Sequence, residues 1–279
     1  MYDVVDTAVL TANSKLLKVS APQIAKRAKP GQFVMVRIGE RGERIPLTIA
    51  DHDPVQGTIT IIVQQIGKTS RALAALNVGD AISDVVGPLG VPSEIRKFGT
   101  IVCVGGGFGM AAIYPIARAL KEAGNRIIAI IGARNEDLLL WEDRMSAVAD
   151  ELLITTDDGS RGRKGRVIDA LKEVLADGRR IDLVVAVGPV VMMRAVSNIT
   201  LPYGVHTVAS LNPIMIDGTG LCGGCRVTID GRNQFVCVDG PDFDAHKVNW
   251  EELMSRLTIY QADEKVALEK YQCQACKTG

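Results

Sequence analysis

The chain lacks the features that assign a protein to several common classes. Its 279 residues carry 32 lysines and arginines against 32 aspartates and glutamates, so the formal net charge is zero. Without an excess of one sign, there is no electrostatic argument for nucleic acid or an anionic membrane as a general partner. Histidine is scarce, and His52, His206 and His246 belong to no pattern typical of acid–base catalysis. We expect ordinary structural roles for them.

Long hydrophobic runs are also absent. The longest uncharged stretch, 101–117, has four glycines in its first nine residues and predicts a strand, a turn and a helix rather than a membrane span. The N-terminus shows no basic start followed by an apolar block, so no secretory signal is expected. Metal binding then explains the six cysteines better than disulfides do, and we expect a cytoplasmic protein.

The segment 217–237, DGTGLCGGCRVTIDGRNQFVC, carries the most specific pattern. Plant-type iron–sulfur sites space their thiolates as Cys, four residues, Cys, two residues, Cys, and a distant fourth. Cys222, Cys225 and Cys237 match the last three positions, and Asp217 occupies the first. The pattern predicts a 2Fe-2S cluster held by three thiolates and one carboxylate. A structural zinc site is the alternative, because zinc also accepts three Cys with an oxygen ligand.

The length and the 47% hydrophobic content predict two domains and a tail. Residues 1–97 contain short β-rich runs, such as 33–37 and 58–63, between turn signals, which favours a small β-barrel. A short helix is predicted at 70–76. It is preceded by Gly67, Lys68, Thr69 and Ser70, whose free amides are suited to a diphosphate. An ordinary capped surface helix has the same appearance.

The pattern changes at residue 98. An apolar strand at 100–104, the turn GGGFG at 105–109 and a helix at 110–123 predict the start of a βαβ unit. Gly107, Gly109 and Ala112 fit the G-x-G-x-x-A form of dinucleotide sites. The second strand, 126–131, ends without an acid at its tip, which departs from the usual NAD fingerprint. Tight packing of a strand on a helix is the alternative reason for these glycines.

Further βα elements repeat to residue 205, and parallel sheets bind ligands beyond the carboxyl ends of their strands. The predicted fold is therefore a β-barrel followed by a doubly wound α/β domain. We place the boundaries at 1–97 for the barrel, 98–205 for the α/β domain, 206–250 for the cluster segment, and 251–279 for a helix and tail. Cys273 and Cys276 supply only two ligands, so we expect a flexible tail there. Cys103 is expected to be buried in its strand.

The order of these parts resembles the ferredoxin-NADP reductase superfamily. A barrel with the run RIPLT is followed by GGGFG, a later GP at 188–189 and a cysteine loop. Within that superfamily, the chain resembles the electron-transfer subunit of dihydroorotate dehydrogenase B and the small subunit of NADH-dependent reduced ferredoxin:NADP oxidoreductase. Cysteine is usual in the former at the position of Asp217, so the aspartate favours the latter, electron-bifurcating type.

The resemblance implies FAD in the barrel and NAD(H) on the α/β domain. The positions that match the flavin segments are Pro46, Leu47, Thr48, Ile62, Val63, Gln64, Gly67, Thr69 and Ser70. The positions that match the nucleotide segments are Gly106, Gly107, Gly109, Met110, Asp157, Gly159, Gly188 and Pro189. Ile45 stands where the family has an arginine, and Lys68 or the amides of Thr69 and Ser70 are candidates to replace its charge. The family's turn that closes the barrel corresponds to 87–90.

The implied function is electron transfer between NAD(H), FAD and a 2Fe-2S cluster, to or from a larger flavin and iron–sulfur subunit. That partner would connect the chain to ferredoxin indirectly. FAD converts between electron pairs and single electrons, and no side chain is required as acid, base or nucleophile. Two alternatives remain open at this point: the electron-transfer subunit of dihydroorotate dehydrogenase B, and a zinc-binding structural module with a degenerate nucleotide fold.

Overall fold

The structure is a computed structural model that describes residues 1–40 and 42–278, with the side chains of 274–278 outside the description. The N-terminal part is antiparallel β-structure, as predicted. Its strands are β1 (Tyr2–Thr11), β2 (Ser14–Ser20), β3 (Phe33–Arg37), β4 (Arg44–Thr48), β5 (Asp51–Asp53), β6 (Thr58–Gln64), β7 (Ala81–Ile82) and β8 (Asp84–Leu89). The short helices α1 (Pro22–Ala25) and α2 (Lys68–Ala74) complete it.

Two sheets form the barrel. One has the order β5-β6-β2-β1-β7 and the other the order β4-β3-β8. The buried side chains of β2, β3 and β6 fill the space between the sheets, including Leu17, Val34 and Ile61, each essentially inaccessible to water. Residues 87–89 were expected in a closing turn, but they lie within β8, which pairs with β3.

The second part is a parallel α/β layer. It comprises β9 (Thr100–Gly106), α3 (Met110–Glu122), β10 (Arg126–Ala133), α4 (Glu142–Val148), β11 (Glu151–Thr156), β12 (Arg163–Lys164), α5 (Val167–Ala176), β13 (Leu183–Val187), α6 (Val190–Thr200) and β14 (Thr207–Ser210). The sheet order is β12-β11-β10-β9-β13-β14, followed at the edge by the antiparallel strand β17 (Asp242–Asp244). Hydrophobic clusters cover both faces, which explains why the central strands are continuously apolar.

The chain reverses its direction of winding between β9 and β13. From β9 it proceeds outward through β10, β11 and β12, and it then returns to place β13 on the other side of β9. Such a switch point leaves a crevice at the carboxyl ends of the two strands. The predicted nucleotide turns, 105–109 and 188–189, follow β9 and β13, so they lie together at this crevice.

The cluster segment returns to the sheet of the α/β domain. A hairpin of β15 (Arg226–Ile229) and β16 (Arg232–Phe235) leads through α7 (Val236–Asp239) to β17. A helix and a tail were expected over 251–279, but the structure has two helices, α8 (Trp250–Arg256) and α9 (Gln261–Thr278). Turns over 257–260 separate them and redirect α9 toward α2. Within the described residues, no helix combines the length and the apolar character that a membrane span requires.

Candidate functional site

The four predicted cluster ligands form two pairs in the structure. The Cys225 thiol donates to the sulfur of Cys237, with 3.2 Å between the two atoms, and both residues are buried. Asp217 accepts hydrogen bonds from the amides of Thr219 at 2.8 Å and Cys222 at 2.9 Å, and Cys222 is exposed. The ligand loop is therefore folded around the carboxylate at one end and around the buried thiols at the other.

The spacing of the buried pair fits a metal ligand set. A tetrahedral metal with sulfur bonds of about 2.3 Å holds two thiolates about 3.8 Å apart, so the observed sulfurs need only a small adjustment. Among the described residues, no three or more His, Cys, Asp or Glu side chains are grouped closely enough to hold a metal ion. The structure therefore brings the predicted ligands together as two pairs and not as one set of four.

The electrostatics of the ligand loop differ between the two pairs. Hydrogen bonds from backbone amides, first that of Thr219, hold the pKa of Asp217 below its usual range, so this carboxylate is ionised. Burial, and then the hydrogen bond with Cys225, raise the pKa of Cys237 to about 12. The buried thiol is thus protonated until a metal displaces the proton. Burial also raises the pKa of Cys103 to about 12, which agrees with its expected role in the core.

A cleft of about 1460 Å³ lies between the barrel and the α/β domain. Single small ligands generally occupy about 300–1,000 Å³, so the cleft has room for more than one. It brings together most of the predicted cofactor positions from both domains. Those that line it are Pro46, Leu47, Thr48, Gln64, Gly67, Thr69, Ser70, Gly106, Gly107, Gly109, Asp157, Gly188 and Pro189.

Four predicted positions do not line the cleft. The side chains of Ile62, Val63 and Met110 are buried in the core, at 2% exposure or less, and Gly159 is exposed outside the cleft. Apolar residues in a strand or at the start of a helix serve packing, and a motif alone does not show which way they face. These four therefore stay predictions from the resemblance.

The glycines at the crevice make close contacts that a larger residue would prevent. A Cβ on Gly109 would lie 2.2 Å from the carbonyl oxygen of Val187, and one on Gly106 would lie 2.3 Å from the sulfur of Met192. Gly107 has φ +52° and would meet nothing within 4 Å, so its Cβ position is open. Gly106 and Gly109 allow the turn after β9 to lie close to the turn after β13. Gly107 leaves the crevice open for a diphosphate.

On the barrel side, the start of α2 is engaged in its own hydrogen bonds. The hydroxyl of Ser70 accepts from the amide of Gly67 at 2.9 Å, and that of Thr69 donates to Glu43 at 2.6 Å. Lys68 lies 3.9 Å from the same carboxylate, and it lines the cleft. Ile45 also lines the cleft, so an apolar side chain does occupy the position where the resemblance implies an arginine.

Two parts of the cleft wall were not predicted from the sequence. The loop at 212–216 forms one side and leads directly into Asp217. The helix α9 and the turn residue before it form another, through Tyr260, Gln261, Asp263, Glu264, Lys265, Ala267 and Leu268. Its polar sequence shows no apolar stripe that would have indicated packing. Cys273 is exposed on this helix, although a flexible tail was expected, and the side chain of Cys276 lies outside the described residues.

Comparisons with known proteins agree with this geometry. A family model described as the iron–sulfur cluster binding domain of dihydroorotate dehydrogenase B matches residues 212–249, and one described as an oxidoreductase NAD-binding domain matches residues 103–198. The dihydroorotate dehydrogenase B electron-transfer subunit homolog of Thermotoga maritima is 49% identical over 253 residues, covering 91% of this chain and 89% of the relative. The chain belongs to the dihydroorotate dehydrogenase B electron-transfer subunit family.

Two further relatives show the breadth of this family. The electron-transfer subunit of dihydroorotate dehydrogenase B from Bacillus caldolyticus is 34% identical, with 83% of this chain and 91% of that protein covered. A solved structure of NADH-dependent reduced ferredoxin-NADP oxidoreductase, described in relation to flavin-based electron bifurcation, aligns at 46% identity and a TM-score of 0.92, over 98% of both chains. The predicted resemblance and the reductase-like fold are thereby confirmed.

The family assignment also confirms the broad functional prediction. The protein is an electron-transfer subunit of an oxidoreductase, with an NAD-binding domain, an iron–sulfur cluster binding domain and a fold shared with FAD-binding reductases. The match of residues 212–249 to an iron–sulfur cluster binding domain favours a cluster over the zinc module that the sequence left open.

Proposed function

We propose that this chain is the small subunit of an electron-bifurcating type of ferredoxin:NADP oxidoreductase. It passes electrons between NAD(H), FAD and a 2Fe-2S cluster, and exchanges them with a larger flavoprotein subunit. The likeness to the solved NADH-dependent reduced ferredoxin-NADP oxidoreductase carries this proposal, and the wall of the cleft at 212–216 leads directly into Asp217. The same short loop thus borders the proposed cofactor cleft and supplies the first ligand of the cluster.

The two sides of the cleft are assigned to different cofactors. The crevice formed by Gly107, Gly109 and Gly188 receives the diphosphate of NAD(H) at the carboxyl edge of the sheet. The strand β4 borders the barrel side, where FAD is expected. Bound FAD exchanges electron pairs with NAD(H) and single electrons with an iron–sulfur cluster. Arg44 and Lys68 both line the barrel side and are the candidate cations there, since Ile45 carries no charge.

The pairing of ligands extends to the cluster itself. We assign one iron to Cys225 and Cys237, which lie in the core, and the other to Asp217 and Cys222, which lie toward the solvent. A carboxylate is a harder and weaker electron donor than a thiolate, and ligand identity sets the potential of such clusters. The aspartate is expected to raise the reduction potential relative to a ligand set of four cysteines.

We expect NAD(H) rather than NADP(H), because the curated relatives are named for NAD(+), and two arginines of the basic loop after β11 are paired within the chain. Arg161 forms an ion pair with Glu142 at 2.5 Å, and Arg163 pairs with Glu173. Both arginines therefore already have anionic partners within the chain. Arg166 lines the cleft and is the member of this loop with access to a bound nucleotide. A comparison of NADH and NADPH affinities tests this preference.

Exposed apolar side chains surround the cluster loop and support a partner subunit there. Leu221, between the first two ligands, is 89% exposed, and Ile216 and Val238 are each nearly half exposed. Apolar side chains grouped beside a functional site commonly mark a protein interface. We assign this patch to the larger subunit, because an electron leaving the cluster needs an acceptor close to the exposed ligands.

A second candidate function is the electron-transfer subunit of dihydroorotate dehydrogenase B itself, which the names of the curated relatives favour. Purification of the chain with its natural partner separates the two. A complex that couples NADH, NADPH and ferredoxin supports the first function. A complex that oxidises dihydroorotate with NAD⁺ supports the second and contradicts our proposal.

A further inference from the structure

The cluster loop makes a close contact with the barrel immediately after its first ligand. Gly218 has φ +77°, a conformation that glycine adopts readily and other residues rarely. A Cβ on Gly218 would lie 2.6 Å from Cγ of Met35 and 2.9 Å from Cδ1 of Leu89. The backbone of the ligand loop therefore rests directly on side chains of β3 and β8.

Met35 lies at a junction between the two proposed cofactor sites. It is 1% exposed, and on β3 it faces Pro46 of β4, the strand that borders the flavin side of the cleft. Its side chain belongs to the same hydrophobic cluster as Cys225 and Cys237. One buried side chain thus packs in the core of the cluster segment while its backbone pairs with the flavin-side strand.

We propose that Met35, through its contact with Gly218, is a positioning residue that sets the distance between the flavin and the iron–sulfur cluster. This inference rests on the proposed function. Electron tunnelling rates fall steeply as the gap between donor and acceptor widens, and protein cores resist small displacements because they are closely packed. While Gly218 packs against Met35, the ligand loop has one position relative to β4. Without this contact, the loop can take several positions.

The step concerned transfers one electron, so that the flavin is oxidised by one electron and the cluster is reduced by one. NADH supplies the electrons in pairs as a hydride, and no bond within the protein is made or broken. A change in the Met35–Gly218 contact should therefore slow the reduction of the cluster without changing the reduction of the flavin by NADH. The two events have separate absorption bands and are followed independently.

The test uses the full chain with its cofactors bound, mixed with NADH under anaerobic conditions in a stopped-flow instrument. Gly218→Ala adds a methyl group against Met35 and Leu89. Gly231→Ala is the matched control, because Gly231 has φ +73° but a Cβ there meets nothing within 4 Å. Met35→Ala removes the side chain against which Gly218 packs. Met35→Leu keeps a side chain of similar volume at this position. FAD content, iron content and both reduction potentials are measured for every variant.

We expect Gly218→Ala and Met35→Ala to reduce the cluster severalfold more slowly than the unmodified chain, with flavin reduction and both potentials unchanged. Gly231→Ala and Met35→Leu should retain the original rate. If Gly218→Ala fails to retain iron, Met35→Ala decides the matter. Equal cluster reduction rates in Met35→Ala, Met35→Leu and the unmodified chain overturn the inference. Absence of FAD or iron in the unmodified chain contradicts the proposed function instead.

Discussion

Replacement of Gly109 by alanine should weaken NADH binding, because the glycine lies where two backbone segments meet. Its φ of −58° is acceptable for alanine, so backbone strain at residue 109 itself is not the issue. The added Cβ would lie 2.2 Å from the carbonyl oxygen and 2.5 Å from the carbonyl carbon of Val187. Carbon and oxygen normally approach to about 3.3 Å, so the turns after β9 and β13 must separate by about 1 Å.

The size of the effect follows from the cost of such overpacking, which is typically about 1–3 kcal/mol. If that cost falls on the closed form of the crevice, NADH affinity decreases roughly five- to 150-fold, since about 1.4 kcal/mol corresponds to a factor of ten. If part of it falls on the fold, the melting temperature decreases by about 2–4 °C for each kcal/mol. The two effects are measured separately.

The assay is an equilibrium titration of the flavin-containing chain with NADH under conditions that prevent turnover, together with thermal unfolding. Gly124→Ala is the control, because Gly124 follows the far end of α3, has φ +84°, and would meet nothing within 4 Å. This variant should lose stability through its backbone but keep its NADH affinity. An unchanged NADH affinity in Gly109→Ala would refute the assignment of the crevice.

Four further predictions concern other parts of the structure. Asp217→Cys should lower the cluster potential by roughly tens of millivolts, and a redox titration that shows no change removes our reason for the aspartate. Lys265→Ala should weaken FAD retention about tenfold if α9 closes the flavin side of the cleft, as equilibrium dialysis will show. Leu221→Asp should reduce recovery of the partner subunit in co-purification, because it places a charge in the proposed interface; full recovery contradicts that interface. Burial raises the pKa of Asp242, so the folded state binds more protons than the unfolded state, and stability falls as pH rises from the unfolded pKa to the folded one. Asp242→Asn has no carboxyl group to ionise, so its stability relative to the unmodified chain should increase with pH in thermal unfolding. A stability difference that does not depend on pH contradicts a raised pKa at Asp242.

The elements that local pattern determines were predictable from the sequence. The run at 33–37 is the strand β3, and the helix expected at 110–123 is α3, which ends one residue earlier. Apolar periodicity and glycine-rich turns act over a few residues and are largely independent of the rest of the chain. The order of the two domains and the segment at 217–237 followed from the same kind of evidence.

The parts that tertiary packing determines were not predictable. The charged sequence of α9 gives no indication that the helix reaches the cleft, since its direction depends on the turns at 257–260. The strand β17 joins the parallel sheet from the cluster segment, and three residues offer too short a pattern to predict that pairing. Likewise, Gly218 follows the predicted ligand Asp217 in the sequence, but only the structure shows that it rests on Met35.

The central claim is that Asp217, Cys222, Cys225 and Cys237 bind two iron atoms in a chain that also binds FAD. Metal and flavin analysis of the anaerobically purified protein, combined with electron paramagnetic resonance after reduction, tests it most directly. We expect two irons and one FAD for each chain, together with the rhombic signal of a reduced 2Fe-2S cluster. A colourless protein with one zinc for each chain and no flavin would contradict the account.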